Sequence, residues 1–132
     1  DLEDTVVPIV ATSELVARCW ATPLAMVFID GGHSLEAAMA DYSSWASKVM
    51  PGGFLTIHDI FPDPAKGGQA PYTIYKLALK SGLYEELPMV STLGVLRQQS
   101  ISQLAERLGD EYDIRMPSPQ VPASTLSRAA WA

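Results

Sequence analysis

Cys19 is the sole cysteine among 132 residues, which excludes an internal disulfide and a cysteine-built zinc cluster and favours a reducing, cytoplasmic setting. Positive charge is scarce as well. Nine Lys and Arg against fifteen Asp and Glu leave a net charge of −6, and the cations are scattered, so no basic face is available for nucleic-acid phosphates. No apolar run approaches the roughly 20 residues that span a bilayer, and no basic-then-apolar leader opens the sequence, so no membrane partner is expected. Internal repeats are missing, and low complexity is confined to the proline-rich stretch Met116 to Pro122.

Apolar residues, by contrast, are plentiful. They make up 48% of the sequence against 18% charged, enough for one packed domain in a chain too short for two. Two short apolar runs end abruptly in acids: Leu24 to Ile29 before Asp30-Gly31-Gly32-His33, and Phe54 to Ile57 before His58-Asp59. Runs of Val, Ile and Phe without alternation read as parallel strands buried on both faces. Their polar ends then share the carboxyl edge of a sheet, where loops leaving neighbouring strands part and open a crevice. Asp30, His33, His58 and Asp59 are expected to line that rim.

The remaining segments read in order as follows. Val6 to Val10 reads as a short strand, at an edge because Pro8 cannot donate to a ladder. Ser13 is placed to cap a helix from Glu14 to about Trp20, and Ser34 one from Leu35 to about Val49 with Tyr42 and Trp45 in a core-facing stripe. Pro51-Gly52-Gly53 turns the chain into the second apolar run. The loop Ile60 to Pro71, rich in proline and glycine, leaves the active edge and reads either as a substrate-facing lid or as a plain connection. A helix from Pro71 to about Ser81, with Gly82 at its C-terminus, precedes two strands, Tyr84 to Val90 and Thr92 to Gln98. Pro88 assigns the first of these to an edge. An amphipathic helix from Ser100 to Gly109 and the proline-rich tail, with Trp131 near its end, follow.

Phe28-Ile29-Asp30-Gly31-Gly32-His33-Ser34, a helix carrying Asp41 and Trp45, Pro51-Gly52-Gly53 and Ile57-His58-Asp59 together resemble the second half of a class I S-adenosylmethionine-dependent methyltransferase. The likeness runs from about Val6 to Arg97 and is greatest to the small-molecule branch whose strands end in Ile-Asp-Gly-x-His and His-Asp. It implies an α/β fold with a partial Rossmann-like sheet, parallel strands followed by an antiparallel C-terminal pair. The strand, Gly-x-Gly turn and helix that open such domains, and the ribose-binding acid after them, have no counterpart here. Residues 1–99 are therefore expected to be the C-terminal part of a truncated methyltransferase domain, and residues 100–132 a helical then proline-rich tail. Weak cofactor binding by this polypeptide alone is a further expectation.

The resemblance implies methyl transfer to a small-molecule hydroxyl or amine. His33, in the open loop, or His58 would serve as general base, although for a histidine just before a strand end a hydrogen-bonded core residue is the commoner outcome. Asp30 would hold the cofactor's methionine part or the acceptor, and the Ser13 region its adenine, unless Ser13 is simply a helix cap. Asp30 and Asp59, ending what should be adjacent strands, are expected within reach of one Mg²⁺, but Ile60 stands where catechol-type relatives carry a third, amide ligand. Two other classes remain open: a non-catalytic methyltransferase-like binding module, and a metal-dependent hydrolase or hydroxylase using the Asp and His rim. Because the family's first strand lies beside the run Leu24 to Ile29, its absence predicts an exposed edge, and hence a homodimer or pairing with a missing N-terminal half.

Overall fold

The computed structural model describes Leu2 and residues 4–112. The chain divides into two compact units, residues 1–101 and 102–132. The first holds a four-stranded sheet of order β1-β2-β4-β3, from β1 (Leu24–Ile29), β2 (Val49–Ile57), β3 (Tyr84–Val90) and β4 (Leu93–Gln98). Strands β1 and β2 are parallel, and β4 runs antiparallel to both its neighbours. The mixture of parallel and antiparallel pairs fits a partial Rossmann-like methyltransferase fold.

Three helices accompany the sheet: α1 (Ser13–Cys19), α2 (Leu35–Trp45) and α3 (Ala70–Lys80). Helix α2 starts where Ser34 accepts a hydrogen bond from the Ala37 N–H at 3.1 Å, satisfying a donor the helix itself leaves free. It ends four residues earlier than its apolar spacing suggests, in a 3-10 turn over Ala46–Lys48. Pro71 occupies the first turn of α3, where its missing N–H costs nothing, and Gly82 follows the C-cap at φ +71°. Pairing of β2 begins at Val49, before the expected turn. Leu24 faces Val49 but Met26 faces Phe54, so Pro51-Gly52-Gly53 is an irregularity inside β2, with Gly52 at φ +80°. Pro88 lies where the β3–β4 register shifts, on the terminal strand of the sheet, as a residue without an N–H requires.

Alternation sorts the side chains. Val27, Ile29, Leu55, Ile57 and Leu96 share one face and are buried with Ala38, Ile74, Tyr75 and Ala78 of α2 and α3. Tyr42 and Trp45 pack on this core. On the opposite face Met26 and Phe28 stay 59% and 52% exposed. The two-sided burial expected of the first apolar run is thus one-sided, because among the described residues helices cover only one face of β1.

Two further expectations are corrected. Val6 to Val10 forms no strand: all five side chains are exposed, so no burial offsets the entropy of ordering them, and Pro8 lacks one ladder donor. Ser13 is the first residue of α1 rather than its cap. Thr12 holds the cap position without a side-chain bond, and Ser13 Oγ accepts from Trp45 Nε1–H instead. Beyond the sheet the structure describes α4 (Ile101–Tyr112), which ends three residues after the Gly109 that its apolar pattern suggests. The proline-rich segment and Trp131 lie outside the described residues.

Candidate functional site

The parallel register sets the rim. Ile29 pairs with Ile57, so Asp30 and His58 leave adjacent strands side by side, with the His58 N–H donating to the Ile29 carbonyl at 3.0 Å. Since Ile57 faces the helices, His58 turns to the other face, edge-on to Phe28 with ring centroids 6.3 Å apart. The core-histidine reading of His58 is therefore excluded. Its Nδ1 is 3.1 Å from Asp30 Oδ1 and 3.3 Å from Asp59 Oδ1.

Asp59 sits at φ +58°, a left-handed conformation that Asp adopts more readily than most side chains. The reversal is anchored by buried Ile60, whose N–H donates to the Thr92 carbonyl at 2.9 Å. It carries the Asp59 carboxylate back over the strand end, where Oδ2 meets His33 Nε2 at 2.7 Å. His33 comes, like Asp30, from the loop between β1 and α2, so two segments, each following one of the parallel strands, supply the four rim residues. The loop after Ile60 is tied by its own contacts: Gln69 donates to the carbonyls of Phe61 and Gly67, and Asp63 accepts from the Ala65 N–H.

A groove of about 490 Å³ adjoins the rim along the outer edge of β1, with Met26, Phe28, Asp30, Asp41, Ser13 and Trp45 among its walls. Trp45 Nε1–H donates to Ser13 Oγ at 2.8 Å, which joins α1 to α2 and leaves the serine O–H free to donate. Asp41 is a contributor the sequence reading noted only within a motif. Its carboxylate lies so close over Gly31 that a Cβ there would come within 2.7 Å of Oδ2. The signal was present: Asp41 and Trp45 are four apart, hence on one face of α2.

Residues 1–60 match a family model described as a methyltransferase domain. The match takes in α1, β1, α2, β2 and every rim residue, ending one position past Asp59. It supports a methyltransferase domain and, with it, methyl transfer as the general chemistry. Among the described residues no helix is long and apolar enough to cross a membrane.

Proposed function

We propose that this chain carries the acceptor-side rim of an S-adenosylmethionine-dependent methyltransferase acting on a small-molecule hydroxyl or amine. The observation that carries the reading is the 2.7 Å contact between His33 Nε2 and Asp59 Oδ2. Asp59 accepts the Nε2–H, which fixes the tautomer and leaves the His33 Nδ1 lone pair facing outward as a base. His33 is 61% exposed, so an acceptor can reach it.

S-adenosylmethionine supplies a methyl group on a cationic sulfur. The groove fits such a ligand: apolar walls at Met26, Phe28 and Trp45 suit a purine ring, and Asp30 and Asp41 suit positive charge. Ser13 contributes a hydroxyl donor near the ring. His33 Nδ1 takes the acceptor's proton as the acceptor oxygen or nitrogen bonds to the methyl carbon. When bound, the cofactor would supply that methyl carbon, and its carbon–sulfur electron pair would leave with a neutral thioether sulfur. Asp59 stabilises the resulting imidazolium. A divalent ion at Asp30 and Asp59, which the resemblance also implies, would orient the acceptor oxygen and ease its deprotonation. The small-molecule acceptor and a second copy of the chain are the partners this reading expects.

Nuclear magnetic resonance titration of the full chain with S-adenosylhomocysteine tests the reading. Millimolar additions are expected to shift signals of Ser13, Asp30, Asp41 and Trp45. Unchanged spectra at those concentrations would overturn it.

A further inference from the structure

A second concavity lies at the edge of the sheet opposite the rim, where β1 and β2 begin. It encloses about 470 Å³, within the range of roughly 300–1,000 Å³ usual for small-molecule sites. Trp20, Pro23, Val49 and Pro51 give it apolar walls, and Ser47 and Lys48 bring polar groups to it. Among the described residues that line it, Lys48 alone is charged. The six residues of β1, about 20 Å at a strand's rise, separate it from Asp30, and it shares no lining residue with the groove beside the rim.

Its walls are held in place by contacts of their own. The Trp20 indole N–H donates to the Thr22 carbonyl at 2.7 Å, and the ring stands edge-on to Trp45 with centroids 5.9 Å apart. Lys48 ends the 3-10 turn after α2 and reaches across to the end of α1, where Nζ donates to the Trp20 carbonyl at 2.9 Å. Capping α1 in this way uses one of the three N–H groups on the ammonium, and two remain for a ligand oxygen. A half-buried lysine already tethered loses little further freedom when it binds. Lys48 also walls a neighbouring cleft of about 430 Å³ with Glu14 and Arg18, whose opposite charges cancel. The ammonium therefore sets the sign of the site.

A single ammonium among flat apolar side chains favours one kind of ligand. One positive charge balances a monoanion, whereas a dianion stays under-compensated in a chain of net charge −6. The indole and the two proline rings offer flat surfaces to a planar body. We infer that this concavity is a second binding site and that it takes a small aromatic carboxylate, the carboxylate on Lys48 Nζ and the ring against Trp20. No rim residue takes part, so the inference stands or falls apart from methyl transfer.

Nuclear magnetic resonance titration of the full chain with sodium benzoate, sodium acetate and benzamide tests it. Benzoate is expected to bind one site with a Kd of about 1–10 mM, shifting the Trp20 indole N–H and the Ser47 and Lys48 amides while Asp30 and His58 stay unchanged. Acetate lacks the ring and benzamide the charge, and each is expected to bind about ten-fold more weakly. Lys48→Gln is expected to weaken benzoate by about ten-fold with an unchanged circular dichroism spectrum. Comparing the three ligands on the wild-type chain gives a readout free of any folding defect. No saturable shift by roughly 50 mM benzoate, equal affinity for acetate or benzamide, or shifts confined to the rim would overturn the site.

Discussion

His33 and Asp59, 26 positions apart in the sequence, meet at 2.7 Å because β1 and β2 end in register and Asp59 folds back in a left-handed conformation. The pair joins the loop after one strand to the residue just past the next. If it is the catalytic base, His33→Ala in the active enzyme lowers kcat by roughly 10²- to 10⁴-fold. Asp59→Asn, which removes the oriented acceptor, follows in the same direction. Both residues are solvent-accessible, so urea midpoints should stay near wild type. Steady-state kinetics beside urea unfolding check this, and wild-type turnover in His33→Ala would exclude the pair.

Tyr84 ties the sheet to the end of α2. Its hydroxyl donates to the Ala46 carbonyl at 2.7 Å, and burial, with a smaller contribution from Tyr42, pushes its pKa up to about 12. In the unfolded chain the phenol ionises near its ordinary value of about 10, so above that pH the unfolded state holds fewer protons than the folded one. Stability contributed by neutral Tyr84 is therefore complete below pH 10 and is lost as pH rises through about 12. Denaturant unfolding across that window should show the decline. Tyr84→Phe should be less stable at neutral pH and show a shallower loss.

Gly94 lies opposite Ile57 in β4, under the ring of Tyr75. A Cβ there would come within 2.5 Å of the ring and 3.1 Å of Ile60. Tyr75 cannot swing aside, being buried with its hydroxyl donating to Glu86 Oε1 at 2.7 Å. Gly94→Ala is expected to destabilise the fold by about 1–3 kcal/mol, read from the urea midpoint. A midpoint equal to wild type would mean that the sheet and α3 are less tightly joined than these distances require.

Strand β1 ends the sheet with Met26 and Phe28 exposed, and Val6, Val7, Ile9 and Val10 are exposed nearby in sequence. An unprotected apolar edge of this kind recruits further chain. Sedimentation of the purified chain at micromolar concentration should report a dimer or larger species, and Phe28→Lys should shift it toward monomer. A wild-type monomer at every concentration would dismiss self-association.

Much of the sheet was legible before any coordinates. Unbroken apolar runs bounded by glycine and acids are short-range signals, and so are Ser34 before a helix, Pro71 inside its first turn and Gly82 after its end. Each acts within a few residues of its own position, and each reappears in the structure. Val6 to Val10 shows where such reasoning stops, since β propensity makes a strand only when a partner strand supplies hydrogen bonds and burial, and among the described residues this segment has no strand partner and no buried side chain.

The rim divides along the same line. That Asp30, His33, His58 and Asp59 belong to one edge followed from the sequence, because strand ends carry their residues with them. How they face one another was decided by tertiary structure alone. The parity of β2 aimed His58 away from the core, the reversal at Asp59 sent its two oxygens to two different histidines, and the packing of α2 laid Asp41 over Gly31. Residue order sets which groups arrive at an edge, whereas the directions of their bonds depend on torsions and contacts between segments distant in the chain.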